Sequence, residues 1–153
     1  MAITIAQINS AIHDTFANNL TTIDYTQDYD TLTEGLANTP LLQVYWNSLN
    51  PVSEGSATDR KTFGGGGVKP MRNKRYMFNA DLYLDPRSDI DRNFAQMLPI
   101  VDEINNILEN QDDEPYFGLS GIKSYTWSCQ RGNIEYAQTS YPVVQWVIEI
   151  LVF

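Results

Sequence analysis

A strand, a Pro-bearing turn and a long amphipathic helix follow one another between Arg75 and Asn110, and no other stretch restricts the fold as strongly. In RYMFNADLYL, residues Tyr76, Phe78, Ala80, Leu82 and Leu84 fall on one side, and Met77, Asn79, Asp81 and Tyr83 on the other, because strand side chains alternate with period two. The first set asks for burial. Asp85-Pro86 ends the strand, since Pro has no N–H for a ladder and biases the residue before it away from helix. Beyond it, Ile90, Phe94, Met97, Val101, Ile104 and Leu108 recur at steps of three and four, which predicts one apolar stripe of a helix packed on that strand. Pro99 stands inside this helix and removes one backbone hydrogen bond, so a kink near Gln96 or a break into two pieces is expected.

At the N-terminal end, Thr4 is placed to cap a helix carrying Ile5, Ile8, Ile12, Phe16 and Leu20, with Gln7 three residues on as the partner of a capping box. His13 and Asp14 read as its solvated side. Asn18-Asn19 ends it, and Thr22 to Thr26 alternates weakly, as a short strand does. Leu41 to Ser48, rich in branched and aromatic residues, predicts a better strand, introduced by Pro40. Ile122 to Gln130 predicts another, with Tyr125, Trp127 and Cys129 on one side. Arg131-Gly132-Asn133 then reads as a turn, and Ile134 to Tyr136 as a short extension. Cys129 is expected to be a small buried hydrophobe. The last strand, Pro142 to Phe153, is the most apolar: Val144, Trp146, Ile148, Ile150 and Val152 share one face, and Gln145, Val147, Glu149, Leu151 and Phe153 the other. Phe153 is expected to be buried in the core or under a neighbour.

These elements predict an α+β domain: a mostly antiparallel sheet of four to five strands, two helices packed on one face, and a long Gly-rich hairpin loop. One domain over residues 1–153 is expected, a length that buries roughly two-thirds of the unfolded surface without disulfides or a structural metal. The extended loop, at 50–74, holds four consecutive glycines. Six of the chain's ten basic residues lie in it or just beyond it: Arg60, Lys61, Lys69, Arg72, Lys74 and Arg75. Its glycines do not lead from a strand into a helix and no GK[ST] follows, so the pattern is not a phosphate loop. It is either a loop whose glycines permit sharp turns or one that orders on a partner, its cations meeting an acidic surface or a nucleic-acid backbone.

A net charge of −9 and a pI near 4.4 argue against a general nucleic-acid binder and for a protein partner. A single cysteine makes no internal disulfide, no leader pattern opens the chain, and no apolar run approaches the roughly twenty residues of a membrane span. A soluble protein made in a reducing cytoplasm is therefore expected. With one His and one Cys, no metal, nucleophile or acid–base motif forms, so neither an enzyme nor a cofactor site is expected. Asp112, Asp113 and Glu114 lack calcium-loop spacing; they stand at a helix C-terminus, where acids are unfavourable, which points to solvent or to a basic partner from another subunit. With Trp127, Tyr125, Val147 and Leu151 expected together on the sheet face away from the helices, that face is too apolar for water. Burial in a self-assembled ring would account for it.

The order of elements, with the basic Gly-rich loop, RYMFNADLYL leading to IDRNFAQMLPIVDEINNILEN, then PYFGLSGIKSYTW and VVQWVIEILVF, resembles the tail terminator (tail completion) proteins of long-tailed bacteriophages, from about Ile5 to Phe153. The resemblance implies a structural virion protein. Such subunits form a homo-hexameric ring on the tail tube, end its polymerisation and meet the head-tail connector and neck proteins, while genomic DNA passes through the lumen without specific binding. It implies a place in the tail or neck of the virion, assembled in the host cytoplasm, with no membrane. On that reading Arg60, Lys61, Lys69, Arg72, Lys74 and Arg75 form a partner-docking loop, and Tyr125, Trp127, Val147, Leu151 and Phe153 are subunit-interface candidates. Another neck, head-completion or tube-like phage protein shares the helix-on-sheet plan. A small binding module is the remaining alternative.

Overall fold

A computed structural model describes residues 3–23, 25–27, 40–52, 73–84, 90–111, 115–136 and 138–152. The element order is α1 (Ile5–Asn19), β1 (Tyr25–Gln27), β2 (Leu41–Val52), β3 (Asn73–Tyr83), α2 (Ile90–Glu109), a one-turn 3₁₀ helix (Tyr116–Gly118), β4 (Ile122–Tyr136) and β5 (Thr139–Val152). This is an α+β fold with a five-stranded mixed sheet in the order β1-β2-β3-β5-β4. β1 runs parallel to β2, and the β2–β3, β3–β5 and β5–β4 pairings are antiparallel.

The first helix forms where its cap is written. Thr4 Oγ1 accepts from Gln7 N–H at 3.2 Å, and Gln7 Oε1 accepts from Thr4 N–H at 2.9 Å, so two of the orphan donors at the helix start are satisfied. Ile8, Ile12 and Phe16 then recur on one face and are fully buried. Thr4→Ala is expected to cost about 1 kcal/mol, read as a lowered urea midpoint with an unchanged slope.

In the sheet, Leu82, Ala80, Phe78 and Tyr76 of β3 stand opposite Val144, Trp146, Ile148 and Ile150 of β5. With Leu42 and Val44 of β2 they form one core cluster, closed by Ile8, Ile12 and Phe16 of α1 and by Met97, Ile100, Ile104 and Leu108 of α2. Both helices therefore feed the same face. The sequence pattern placed Met97, Ile104 and Leu108 correctly but omitted Ile100, while Val101 is only partly buried. Trp146 is anchored beneath α2, its indole Nε1–H donating to Asn105 Oδ1 at 2.8 Å.

Several sequence expectations change. The expected turn at Arg131-Gly132-Asn133 is continuous strand: every residue there pairs with β5, and a Cβ at Gly132 would meet only open space. The reversal instead follows Tyr136, which pairs with Thr139, and Gln138 just before Thr139 takes a positive φ of 65°. β5 accordingly begins at Thr139 rather than Pro142. Pro142 is tolerated because its carbonyl accepts from Leu84 N–H where β3 ends, so the missing N–H falls beyond the β3 ladder. The short strand expected at 22–26 sits later, at Tyr25–Gln27, after buried Ile23. β2 reaches Val52 and β3 starts at Asn73, which trims the expected loop at both ends. α2 is one helix across Pro99, not two. Ala95 and Leu98 beside that proline are exposed, so the carbonyl deprived of its partner faces water.

The α1–β1 connection is tied to α2 by a carboxylate that no spacing rule predicted. Glu103 accepts from Thr21 N–H, from Thr21 Oγ1 at 2.6 Å, and from Thr22 N–H and Oγ1 at 3.1 and 3.2 Å. Partial desolvation pushes its pKa up, but these donors outweigh it and hold the carboxyl below its ordinary value of 4.5. A depressed folded-state pKa means stability that is present above the unfolded value and lost as pH falls through the folded one. Glu103→Gln is therefore expected to cost about 1 kcal/mol at pH 7, discounted for the solvent reaching the site. It should also flatten the loss of wild-type stability below pH 4.5 in urea titrations run at several pH values.

Candidate assembly surface

The core-covered face carries two rows that cross the sheet from edge to edge. One runs Trp46–Phe78–Ile148–Trp127, the next Leu49–Tyr76–Ile150–Tyr125. Their middles are buried, whereas their β2 ends are not: Trp46 is 44% exposed and Leu49 36%. Because β1 pairs only with Leu41–Gln43, β2 from Val44 onward has a strand partner on one side only among the described residues. β4, at the opposite side of the sheet, likewise has β5 alone as its partner, and Ser124, Thr126 and Ser128 through Asn133 along it are exposed.

At the β4 end of the two rows the surface is concave. Tyr125 donates its hydroxyl to the Leu108 carbonyl at the α2 C-terminus, and its ring meets Tyr116 and Phe117 edge-on at 5.3 and 5.2 Å. Phe117 holds a left-handed φ of 54°, with its N–H donated to Gln111 Oε1 at 3.0 Å. Around these groups Leu108, Glu109, Gln111, Tyr116, Tyr125 and Trp127 line an open pocket of about 390 Å³. α2 has no basic residue in its last turn, so the pocket sits at the negative end of a helix dipole that no Lys or Arg of that turn offsets.

The structure divides the sequence-predicted interface residues. Tyr125 and Trp127 lie on the helix side, packed against the core, while Val147 and Leu151 are half-buried on the other face. The expectation that all four share the outer face is thus corrected. A register shift between Ile122 and Ser124 moves the phase of β4 relative to β5 by one residue. Phe153 lies outside the described residues.

The outer face is polar at its centre rather than apolar. Buried Asp81 accepts from Tyr45 OH at 2.7 Å, Gln145 Nε2 at 3.0 Å and Gln43 Nε2 at 3.4 Å, and Gln43 also reaches Tyr83 OH at 3.1 Å. Asn79 joins through Tyr45 at 3.2 Å. A small apolar cluster of Leu41, Tyr83 and Val143, with Ile134 and Tyr141 packed on it, flanks this network.

Of the expected docking cations, Arg60, Lys61, Lys69 and Arg72 lie outside the described residues, as do Asp112, Asp113 and Glu114. Lys74 is exposed, and Arg75 forms an ion pair with Glu149 across β3 and β5. Cys129 is exposed on β4, not buried as expected, and partial desolvation pushes its thiol pKa up, away from the thiolate a nucleophile needs. His13 pairs with the neighbouring Asp14 at 3.1 Å. Among the described residues no group of His, Cys, Asp or Glu could hold a metal, and no helix is long and apolar enough to cross a membrane.

Comparison with known proteins adds no assignment: no family model and no curated protein matches the chain.

Proposed function

We propose that the chain is a ring-forming structural subunit rather than a catalyst. The observation that carries this reading is the pair of unlike sheet edges: an exposed Trp46–Leu49 edge on β2 and, on the far side, a 15-residue β4 edge with β5 as its one strand partner among the described residues. Two different surfaces on one subunit meet head-to-tail, and head-to-tail contacts close into rings when the rotation allows. Within that class, the resemblance of the sequence to phage tail terminators selects the particular role. The subunit forms a homo-hexameric ring on the last ring of the tail tube, stops its growth and presents a surface to the head-tail connector.

The finer plan that goes with this reading is a mostly antiparallel sheet with a Gly-rich loop between β2 and β3, its cations docking on the tube or connector. The net charge of −9 suits a conduit through which DNA slides without being held. The place of action is the tail or neck of the virion. Disabling the gene in the phage that encodes it is expected to leave over-long tubes and unattached heads in electron micrographs. Normal tails joined to heads would refute the role. Replacing Arg60, Lys61, Lys69, Arg72, Lys74 and Arg75 by Ser should abolish tail attachment while leaving the subunit folded; unchanged attachment would remove the loop from the account.

A further inference from the structure

We infer that Trp46 of one copy seats in the pocket at the α2 C-terminus of the next copy, an inference that rests on the ring reading and specifies its contact. Trp46 and Trp127 end the same four-strand row on opposite sides of the sheet, and Leu49 and Tyr125 end the adjoining row. Setting copies side by side in one rotational sense therefore brings the Trp46 end of one row to the Trp127 end of its neighbour's.

The chemistry of the two ends is complementary. Trp46 exposes nearly half of the largest apolar side chain in the chain's repertoire, and a Trp so placed is the residue type that most often dominates an interface. The receiving pocket, about 390 Å³, is open and roomy enough for an indole. Its walls include the ring-bearing residues Tyr116, Tyr125 and Trp127, which favour offset or edge-on contact with a further aromatic ring. Glu109 at the rim and the α2 C-terminal carbonyl end supply acceptors for the single indole N–H donor. β4 runs antiparallel to β5, β5 to β3 and β3 to β2, so β4 of one copy and β2 of the next would meet in opposite directions, the sense in which an antiparallel ladder continues.

Trp46→Ala and Glu109→Trp, the second filling the pocket mouth, separate this contact from the ring reading. Both positions are exposed, and circular dichroism and the urea midpoint would confirm that each variant folds as wild type does. Sedimentation velocity of wild type across concentration should show self-association, and each variant alone should weaken it at least roughly 30-fold. Mixing the two variants should restore one contact per pair and give dimers that do not close into rings. Wild-type association that survives Trp46→Ala would overturn this contact and leave the ring reading standing. Two variants that fail to complement would also overturn it. A wild type that stays monomeric at every concentration, with and without tail-tube protein, would overturn both.

Discussion

Trp146→Ala is expected to cost about 3–5 kcal/mol of unfolding free energy, the largest single effect in the chain. The side chain is fully buried, lies between Ala80 of β3 and Cys129 of β4 in the sheet, and holds α2 through the 2.8 Å bond to Asn105. Truncation removes the biggest apolar body of the core and leaves a void that a close-packed interior only partly refills. It also strips the Asn105 amide of its donor. Since domains of this kind are stable by about 5–15 kcal/mol, the variant should unfold at much lower urea or fail to accumulate. Trp146→Phe keeps most of the volume and loses the hydrogen bond, so it should fall between. A shift below about 1 kcal/mol for the alanine variant would mean that α2 does not pack on this face as described.

Asp81→Ala is the second large effect, about 3 kcal/mol, and it acts on the opposite face. Asp81 is buried in the middle of β3 and accepts from Tyr45, Gln43 and Gln145, donors supplied by both neighbouring strands. Deleting it removes the acceptor shared by buried Gln43 and half-buried Tyr45 and Gln145, whereas Asp81→Asn retains shape and one acceptor oxygen and should cost less. Urea unfolding of the two variants against Tyr45→Phe in a double-mutant cycle measures the coupling. Additive losses would show that the network does not act as a unit.

The parts of the fold legible in the sequence are those where one local rule acts alone. Thr4 and Gln7 form their capping box because both partners sit within one turn. The alternation from Tyr76 to Leu84 fixes the core-facing side of β3, and the steps from Met97 to Leu108 fix that of α2. On the opposite side of β3, Asn79, Asp81 and Tyr83 are buried as well, held by bonds to residues 34 to 64 positions away. Separation along the chain hides such a network from any pattern rule.

The candidate surface was harder to read for a related reason. Alternation in β4 holds from Ser124 onward, yet its phase is reset by the register shift at Ile122/Ser124, which leaves no mark in residue type. Tyr125 and Trp127 were therefore assigned to the wrong face. Gly132 offered a turn signal that a fifteen-residue strand paired along β5 overrode. Trp46 was read simply as a strand aromatic. Among the described residues β1 pairs only with Leu41–Gln43, and the β2–β3 pairing is irregular between Trp46 and Ser48; the sequence of β2 announces neither.

The most direct test of the central claim is the mass of the purified protein by light scattering, across concentration and with purified tail-tube protein added. The account predicts a closed hexamer, formed at high concentration or on the tube, and tube polymerisation that halts when it binds. A monomer that ignores the tube at every concentration, while the tube goes on growing, would contradict it.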